Sequence, residues 1–512
     1  MENKKNIVKK SASISLIVLA GKVLGFVKQA VIAWAFGSNA LTDVYFAADG
    51  YTSMFGQIMS QSVGPTVLTQ YVKLSEEGRE EEAKKLIRNS YLFFALLSIA
   101  VIAFNIIFSR QICDLIGISY SADQKAELRF FLIALSPVMF CTAMIGVSSG
   151  YLDSHNRFLP GRLTSLFFSV CIIVAVVLFK DILSLRALLY GFLLGYVLHL
   201  LLMTGLVVPK VGIGFGNPFK NPEFVSMIKR FVPLVVGVSV VDFGHLVDKV
   251  VASSLESGSV SALHYGQVIS SDVVNAVLIT SVGAVLLASI SRSIAAKTET
   301  SRLIEQIKSI MCTMTFISGC LSVLYFIEGR DLIKMFFERG NFDSQNTVLV
   351  SSVASFYATG FIFMANREVL IKTHYAFRDT VSPMVNSIVG VAVNLVGSIA
   401  LSRVMGIAGV ALATSLSLLT VFIMSIFTLK KHIHKFILDR ECVIDFAKTC
   451  IAMLLAGAAG KGLSSLLGNT HFLLRMGIVG IGMLIVYAAV GTVLRETAMK
   501  SLSERVIKKL GR

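Results

Sequence analysis

The chain has 512 residues, of which 55% are hydrophobic and only 15% charged, and its formal net charge is +16. Apolar runs of about 18 residues or more recur along it, each long enough to cross a hydrocarbon core as a helix. This composition excludes a soluble globular protein, and the continuous runs exclude an outer-membrane barrel, whose strands alternate. The seven cysteines are scattered and several lie within apolar runs, which excludes a disulfide-stabilised secreted scaffold.

The apolar runs predict an all-α polytopic membrane protein with 14 transmembrane helices. In chain order, the predicted spans are 9–37, 41–71, 89–111, 127–152, 161–180, 186–208, 228–254, 261–290, 304–327, 345–372, 381–402, 406–429, 444–467 and 472–495. The first run is too long for a cleavable signal peptide and contains Lys22 and Lys28. The charged segment 73–88 is interpreted as a solvated connector in preference to an amphipathic surface helix.

The connections between spans differ in their content of Lys and Arg. With the N-terminus inside, about 32 positive residues lie on the inner side and about 10 on the outer side, and such a bias marks the cytoplasmic side of short loops. We therefore predict that both termini are cytoplasmic. The positive net charge is attributed to loops that face an anionic leaflet, and no nucleic-acid partner is predicted.

The two halves of the sequence resemble each other at an offset of roughly 220 residues, as in transporters built from repeats. Residues 31–48 match 250–267 in their small-residue turn and Tyr, and residues 151–160 match 375–383 in their Tyr, basic stretch and Pro. An even number of spans per copy gives both copies the same orientation, which suits alternating access. The predicted domains are a six-helix bundle at 1–208, a second six-helix bundle at 209–430, and two further helices with a basic tail at 431–512.

Ionisable side chains inside the spans are costly and by default mark a functional site. They are concentrated in the first two spans of each predicted copy. The candidate cavity residues are Lys22, Lys28, Asp43 and Asp49 in the first copy and Asp242, His245, Lys249 and Arg367 in the second.

Spacing links three of these candidates. Asp242, His245 and Lys249 are separated by three and four residues, so a helix places them on one face. The structural alternatives are an ion pair within this stripe, a structural ion pair for Lys28 or Asp43, and an interfacial position for Arg367.

Two further features complete the site prediction. Asp242 together with the amides of Asn386 and Asn394 is a candidate site for a hard cation such as sodium. The chain lacks Walker, Rossmann, HExxH and CxxC motifs, so we predict a transporter without cofactor or metal centre, and no enzyme.

Several segments resemble the MurJ/MviN family of lipid II flippases, within the superfamily that also includes polysaccharide flippases and multidrug exporters of the MATE type. They are GKVLGFVKQAVIAWAFGSNALTDVYFAA (21–48), GVSV (237–240), ASSLESGSVSALHYGQVI (252–269), FFERGNF (336–342) and YAFRDTVSP (375–383). The resemblance implies that Lys22 and Lys28 take the place of two cavity arginines and that Asp43 is the family's acidic cavity residue. Gly56 and Val268 stand where the family has further arginines.

The resulting hypothesis is a flippase that moves an undecaprenyl-pyrophosphate-linked saccharide across the bacterial cytoplasmic membrane. Lys22 and Lys28 would bind the pyrophosphate as point charges, and Asp43 and Asp49 would hold the lysines when the cavity is empty. Membrane lipids surround the protein, the membrane potential or an Na⁺ or H⁺ gradient is the expected drive, and cell-wall synthesis proteins are candidate partners.

Three other functions remain open at this point. The substrate of the flippase is alternatively a teichoic-acid, capsule or exopolysaccharide precursor. A MATE-like cation-coupled drug exporter is a second class, although it gives no role to Lys22 and Lys28. A third class is a scaffold without transport activity. Such a protein has no need of charged residues inside its spans, so this hypothesis leaves them without a role.

Overall fold

Long apolar helices account for most of the structure, which is a computed structural model. It describes residues 2–214, 216–279, 289–290, 292–294, 299–434, 437, 439–468, 470–497 and 499. None of the residues in these ranges forms a β-strand. The predicted all-α membrane fold is therefore confirmed.

The chain divides into two compact units. Unit 1 comprises Met1–Ser261 and Arg339–Phe342, and unit 2 comprises Ala262–Glu338 and Asp343–Arg512. The helices of unit 1 are α1 (Glu2–Phe36), α2 (Ala40–Glu76), α3 (Glu80–Ile107), α4 (Ser109–Ile116), α5 (Ala122–Leu135), α6 (Pro137–Ser154), α7 (Leu159–Arg162), α8 (Thr164–Leu183), α9 (Arg186–Val211) and α10 (Pro222–Ala252). Helix α11 (Ser259–Gln267) begins in unit 1, and its chain continues in unit 2 through two π-helical turns at Val268–Asp272 and Asn275–Ile279.

Helix α2 lies in the core of unit 1. Its N-terminus carries a capping box, in which Asn39 accepts from the backbone of Thr42 and the hydroxyl of Thr42 bonds back to the backbone of Asn39. Glycines allow α2 to approach α6 closely, since a Cβ on Gly150 would lie 2.7 Å from the carbonyl oxygen of Gly64. Helix α2 is therefore enclosed by protein, which permits its many buried polar residues.

Unit 2 contains the remaining helices. They are α12 (Thr300–Phe337), α13 (Ser344–Ala358), α14 (Phe361–Ala376), α15 (Val381–Met405), α16 (Ile407–Ile433), α17 (Arg440–Leu466) and α18 (Phe472–Val493). Helices α13 and α14 form one apolar pair bent by 44°. Helices α15 and α16 pack closely, and the hydroxyl of Ser417 donates to the carbonyl oxygen of Gly390 at 2.7 Å.

The predicted count of 14 spans is not confirmed. Among the described residues, 11 helices are long and apolar enough to cross a membrane, or 12 if the bent pair is one span. The predicted span 41–71 corresponds to α2, which is too polar to be counted. The predicted span 261–290 includes residues 280–288, which lie outside the described residues.

The boundary predicted from the sequence repeat differs from the boundary between the two compact units. The repeat predicts a boundary near residue 208, whereas the compact units divide after Ser261, because α10 packs on α2 within unit 1. The six-plus-six division therefore remains a prediction about the repeat. The charged segment 73–88 is not a separate element: it forms the end of α2, a turn at 77–79 and the start of α3.

Candidate functional site

Lys28 is a half-buried cation on a membrane helix. Helix α1 continues without a break through both of its glycines, so Lys22, which is exposed, and Lys28 stay on different faces. The Nζ atom of Lys28 lies 4.8 Å from the ring centroid of Phe168 on α8. This ring is stacked on Tyr196 of α9, with centroids 5.7 Å apart and planes inclined by 4°. The aromatic face attracts the ammonium group and fixes its position.

Asp49 supplies the negative charge next to Lys28. It lies on α2, close enough for its negative charge to favour the charged form of Lys28. Its Oδ1 accepts a hydrogen bond of 3.0 Å from the hydroxyl of Ser53, one turn further along. Four helices of unit 1 thus bring together a cation, an aromatic platform and a carboxylate. A phosphate group is able to take the place of that carboxylate as the counter-ion of Lys28.

Asp43 occupies a different environment, since only 3% of it is exposed. Its Oδ2 accepts the backbone N–H of Gly258 at 2.7 Å, and its Oδ1 accepts both the N–H and the hydroxyl of Ser261 at 2.7 Å. These donors belong to the first turn of α11 and the residue before it, where unpaired N–H groups and the helix dipole favour an anion. The structure therefore assigns the oxygens of Asp43 to this turn instead of to the lysines of α1.

The end of α1 is bound by a second segment from the later part of the sequence. Asn341 donates its backbone N–H to the carbonyl oxygen of Trp34 at 3.0 Å and its side-chain amide to that of Ala35 at 2.6 Å. These carbonyls lie in the last turn of α1, where helical partners are lacking. Gly340 has a φ of +62° and lies directly against Trp34, so it has no room for a Cβ.

We call this arrangement the clasp: the end of α1, the turn and the start of α2 (34–43), held by residues 258–261 and 339–342. The hydroxyl of Ser38 adds a bond of 2.9 Å to the carbonyl oxygen of Gly258. All three segments belong to unit 1 by packing. The clasp therefore joins the first predicted copy of the repeat to two turns of the second.

The predicted stripe of α10 is present on a continuous helix. Lys249 is 8% exposed and donates to the carbonyl oxygen of Phe46 at 3.1 Å. It lies over Gly50, where a Cβ would be 2.6 Å from its Nζ. The buried Oδ2 of Asp242 has no hydrogen-bond partner among the described residues, whereas His245 is exposed. Lys249 thus makes a helix–helix contact, and Asp242 retains an open acceptor.

The candidates of unit 2 lie on α14 and α15. Arg367 is half-buried on α14, and its Nε is buried without a hydrogen-bond partner. Asn386 donates to Thr428 at 3.0 Å, and Asn394 donates to Thr414 at 3.1 Å, so both amides join α15 to α16. Asp242 belongs to unit 1, and its predicted cation site with these asparagines stays a prediction. Among the described residues, no group of three His, Cys, Asp or Glu is arranged to hold a metal ion.

The turn within YAFRDTVSP is stabilised by Asp379. His432 Nε2 lies 2.8 Å from Asp379 Oδ2, which also accepts the hydroxyl of Ser382 at 2.6 Å. Burial alone would raise the pKa of Asp379, but these hydrogen bonds hold that pKa well below its usual range. Arg378, with a φ of +62°, provides the reversal of the backbone. Asp379 is therefore ionised at neutral pH and fixes the turn before α15.

Sequence reasoning missed the aromatic partners and the donors to Asp43. Phe168 and Tyr196 lie in apolar spans, where nothing distinguishes them from packing residues. Gly258, Ser261 and Asn341 lie in segments that carried the family resemblance, and the small or polar residues of these turns were the available signal.

Comparison with known proteins places the chain in a family, by a match that begins after Lys22 and Lys28. The profile of the family described as "Lipid II flippase MurJ" matches residues 32–479. The chain belongs to this family. The span of the match includes the clasp, Asp43, Asp49 and the whole of α8 to α10.

Relatives and structures agree with the family. The chain is 25% identical to a probable lipid II flippase MurJ of Rhizobium tropici, over 80% of this chain and 79% of the relative. It is 26% identical to that of Helicobacter pylori strain 26695, over 76% and 88%. A structure of lipid II flippase MurJ in an inward closed conformation matches with a TM-score of 0.80 and 22% identity, over 94% of this chain and 99% of that one.

The wider superfamily shares the fold. An inward-facing multidrug resistance MATE transporter of the MOP superfamily matches with a TM-score of 0.59 and 12% identity, over 82% of this chain and 98% of that one. At this identity the likeness concerns the fold alone. The chain is thus a multi-pass membrane protein of the MurJ family, and the drug-exporter and exopolysaccharide alternatives are not favoured.

Proposed function

We propose that this chain translocates lipid II, an undecaprenyl-pyrophosphate-linked precursor of peptidoglycan, across the bacterial cytoplasmic membrane. Membership of the lipid II flippase MurJ family and the names of its relatives support this substrate. The protein binds and moves the lipid without altering its covalent bonds, so it acts as a transporter and not as an enzyme.

The observation that carries the proposal is the setting of Lys28. A half-buried ammonium group lies on the stacked pair Phe168 and Tyr196, with Asp49 as the nearby carboxylate. Such a charge is costly in a membrane unless it serves a ligand or a counter-ion. The pyrophosphate of the substrate takes over from Asp49 as counter-ion, and the sugar and peptide occupy the polar path while the isoprenoid tail stays in lipid.

Lys28 also supports an anionic substrate over a cationic one. An ammonium in the cavity attracts an anionic lipid and repels the cationic compounds that a cation-coupled drug exporter handles. Because Lys binds phosphate as a point charge without the fork of Arg, this site requires charge more than a defined planar geometry. Lys22 lies on another face of α1 and is proposed as an entry contact, not as part of the same binding position.

We propose that the clasp closes the outer end of the path. The positive-inside distribution predicts that both termini are cytoplasmic, and this orientation implies an α1–α2 turn on the outer side. Alternating access requires one end to be shut while the other is open. In the clasp, Asp43 with Ser261, and Asn341 with Trp34, supply bonds that break when the outer end opens.

The drive of transport is proposed to be the membrane potential or a cation gradient. One elementary charge that crosses 100 mV gains about 2.3 kcal/mol, enough to bias one step of the cycle. Asp242, with its open Oδ2, is the proposed binding point for the coupling cation. Cell-wall synthesis proteins are the proposed partners.

Complementation tests this function. The gene is expressed in bacteria whose own lipid II flippase is depleted, and cell survival and the exposure of lipid II on the outer leaflet are measured. We expect wild-type protein to restore both. Normal membrane insertion without outward lipid II, in cells that are rescued by a control flippase, would overturn the proposal.

A further inference from the structure

Unit 2 contains an apolar cavity that the proposed transport path does not use. Its volume is about 360 Å³, which is within the range of small-molecule sites. It lies between α12, α14, α16 and α17, and Met311, Phe363, Leu419, Phe422 and Phe446 contribute to its wall. A cavity of this size and lining is suited to a hydrocarbon chain.

In the part of the chain that the structure describes, Asn366 and Thr449 each contribute to this wall a polar atom without a hydrogen-bond partner. These atoms are the Oδ1 of Asn366 and the hydroxyl of Thr449, in side chains that are 2% and 1% exposed. A buried polar atom without a hydrogen bond is unfavourable, because it has lost its bonds to water without replacement. A ligand with polar atoms as well as a hydrocarbon chain relieves that cost.

A second cavity, of about 700 Å³, lies at the N-terminal ends of α12 and α17 and is lined by charged residues. Within it, Lys308 pairs with Asp439, and Lys448 pairs with Asp445 at 2.9 Å. Arg440 is the remaining cation in the lining of this cavity.

The acidic counterparts of Arg440 in this cavity are Glu305 and Glu441. Arg440 and these two residues are exposed, and none of them has an ion pair within the described part of the chain. The open charges are therefore of both signs.

The two cavities share three wall residues, Cys312, Cys442 and Asp445, and are therefore adjacent. The wall of the apolar cavity also includes Val443 and Phe446 of α17, which are 58% and 40% exposed. In a membrane helix, such side chains face lipid. A molecule that enters from the bilayer thus meets a charged compartment and an apolar one side by side.

We propose that this pair of cavities binds one zwitterionic phospholipid of the ethanolamine type. Its phosphate lies at Arg440, its ammonium group at Glu305 and Glu441, and one acyl chain fills the apolar cavity. The hydroxyl of Thr449 donates to an ester carbonyl. Charges of both signs favour a zwitterion over an anionic lipid. The site is independent of Lys28 and of the transport function.

Native cysteines provide the test. Purified full-length protein, stripped of lipid, is incubated with dioleoyl phosphatidylethanolamine or dioleoyl phosphatidylglycerol, and the alkylation of each cysteine by N-ethylmaleimide is followed by mass spectrometry. Ethanolamine lipid at about four times its Kd should slow the alkylation of Cys312 about fivefold, since only the unbound fraction reacts. Cys171, on α8 of unit 1, should react at an unchanged rate.

Two variants and a second readout complete the test. Leu419→Trp fills the apolar cavity and should abolish protection, whereas Leu416→Trp, on the exposed side of the same helix, should not. Native mass spectrometry should show one retained ethanolamine lipid in the wild type and none in Leu419→Trp. Equal protection by the glycerol lipid, stronger protection by an isoprenoid pyrophosphate, or neither protection nor retention would overturn the proposal.

Discussion

Asp43 accepts both the backbone N–H and the hydroxyl of Ser261, each at 2.7 Å, although 218 residues separate the two in the chain. A buried carboxylate is stable only where its oxygens are satisfied, and here the start of α11 satisfies them. The carboxylate of Asp43 therefore serves to hold the clasp closed through the hydrogen bonds that it accepts.

We predict that Asp43→Asn weakens the clasp more than Ser261→Ala does. The amide removes the charge and turns an NH₂ group towards N–H donors, whereas Ser261→Ala removes one of three donors. A hydrogen bond to a charged group contributes about 1.5–3 kcal/mol, so Asp43→Asn should lower the thermal midpoint of the purified protein measurably. Midpoints in the opposite order would contradict this role of Asp43.

Trp34 is the only tryptophan and lies under residues 339–342, so its fluorescence reports on the clasp. Gly340→Ala should displace this segment and shift the emission to the red, since a Cβ has no room against the indole. Gly78→Ala is the matched control: Gly78 also has a positive φ, of +74°, but nothing lies within 4 Å of its Cβ position. Equal spectra for the two variants would show that the segment does not rest on Trp34.

The contact of Lys249 with α2 gives a third prediction. Gly50→Ala should reduce thermal stability, because its methyl group collides with the side chain of Lys249, which is buried and unable to leave without losing its bond to Phe46. Gly25→Ala has open space and should be neutral or stabilising by about 0.5–1 kcal/mol, as is usual for such a change within a helix. A loss of stability in both variants would show that the contact between Gly50 and Lys249 is not the cause of the effect.

Orientation is tested with single cysteines in a cysteine-free background. A cysteine at Glu81, whose side chain is 78% exposed, should be protected from an impermeant thiol reagent in intact cells. One at Ser257, which is exposed next to the clasp, should react. The reverse pattern would put the clasp on the cytoplasmic side and would overturn its proposed role at the outer end.

The sequence predicted the helices well and the partners of individual side chains less well. Apolar length identified α1, α8, α9 and the later helices, because a membrane span is a property of one segment. Helix α2 was also located, but its burial by protein depends on glycine contacts with α6 that hydropathy does not record.

The candidate site was predictable only in part for the same reason. Lys28 and Asp49 were identified because charge in an apolar run is conspicuous. Phe168 was not identified, since an aromatic residue in an apolar span carries no signal until folding places it under a cation. Asp43 was identified as important, but its partner lies far away in the sequence, and only tertiary structure shows that it closes a turn.

The central claim, that Lys28 is the cation that holds the pyrophosphate, is tested most directly by lipid II translocation in cells that depend on this protein. Lys28→Ala should abolish outward lipid II at normal expression, and Lys28→Arg should retain most of it. Arg186→Ala is the matched control, since Arg186 also rests on an aromatic ring, 4.8 Å from the centroid of Phe130, but outside both the site and the clasp. We expect near-normal translocation by Arg186→Ala, whereas normal translocation by Lys28→Ala would contradict the role of Lys28.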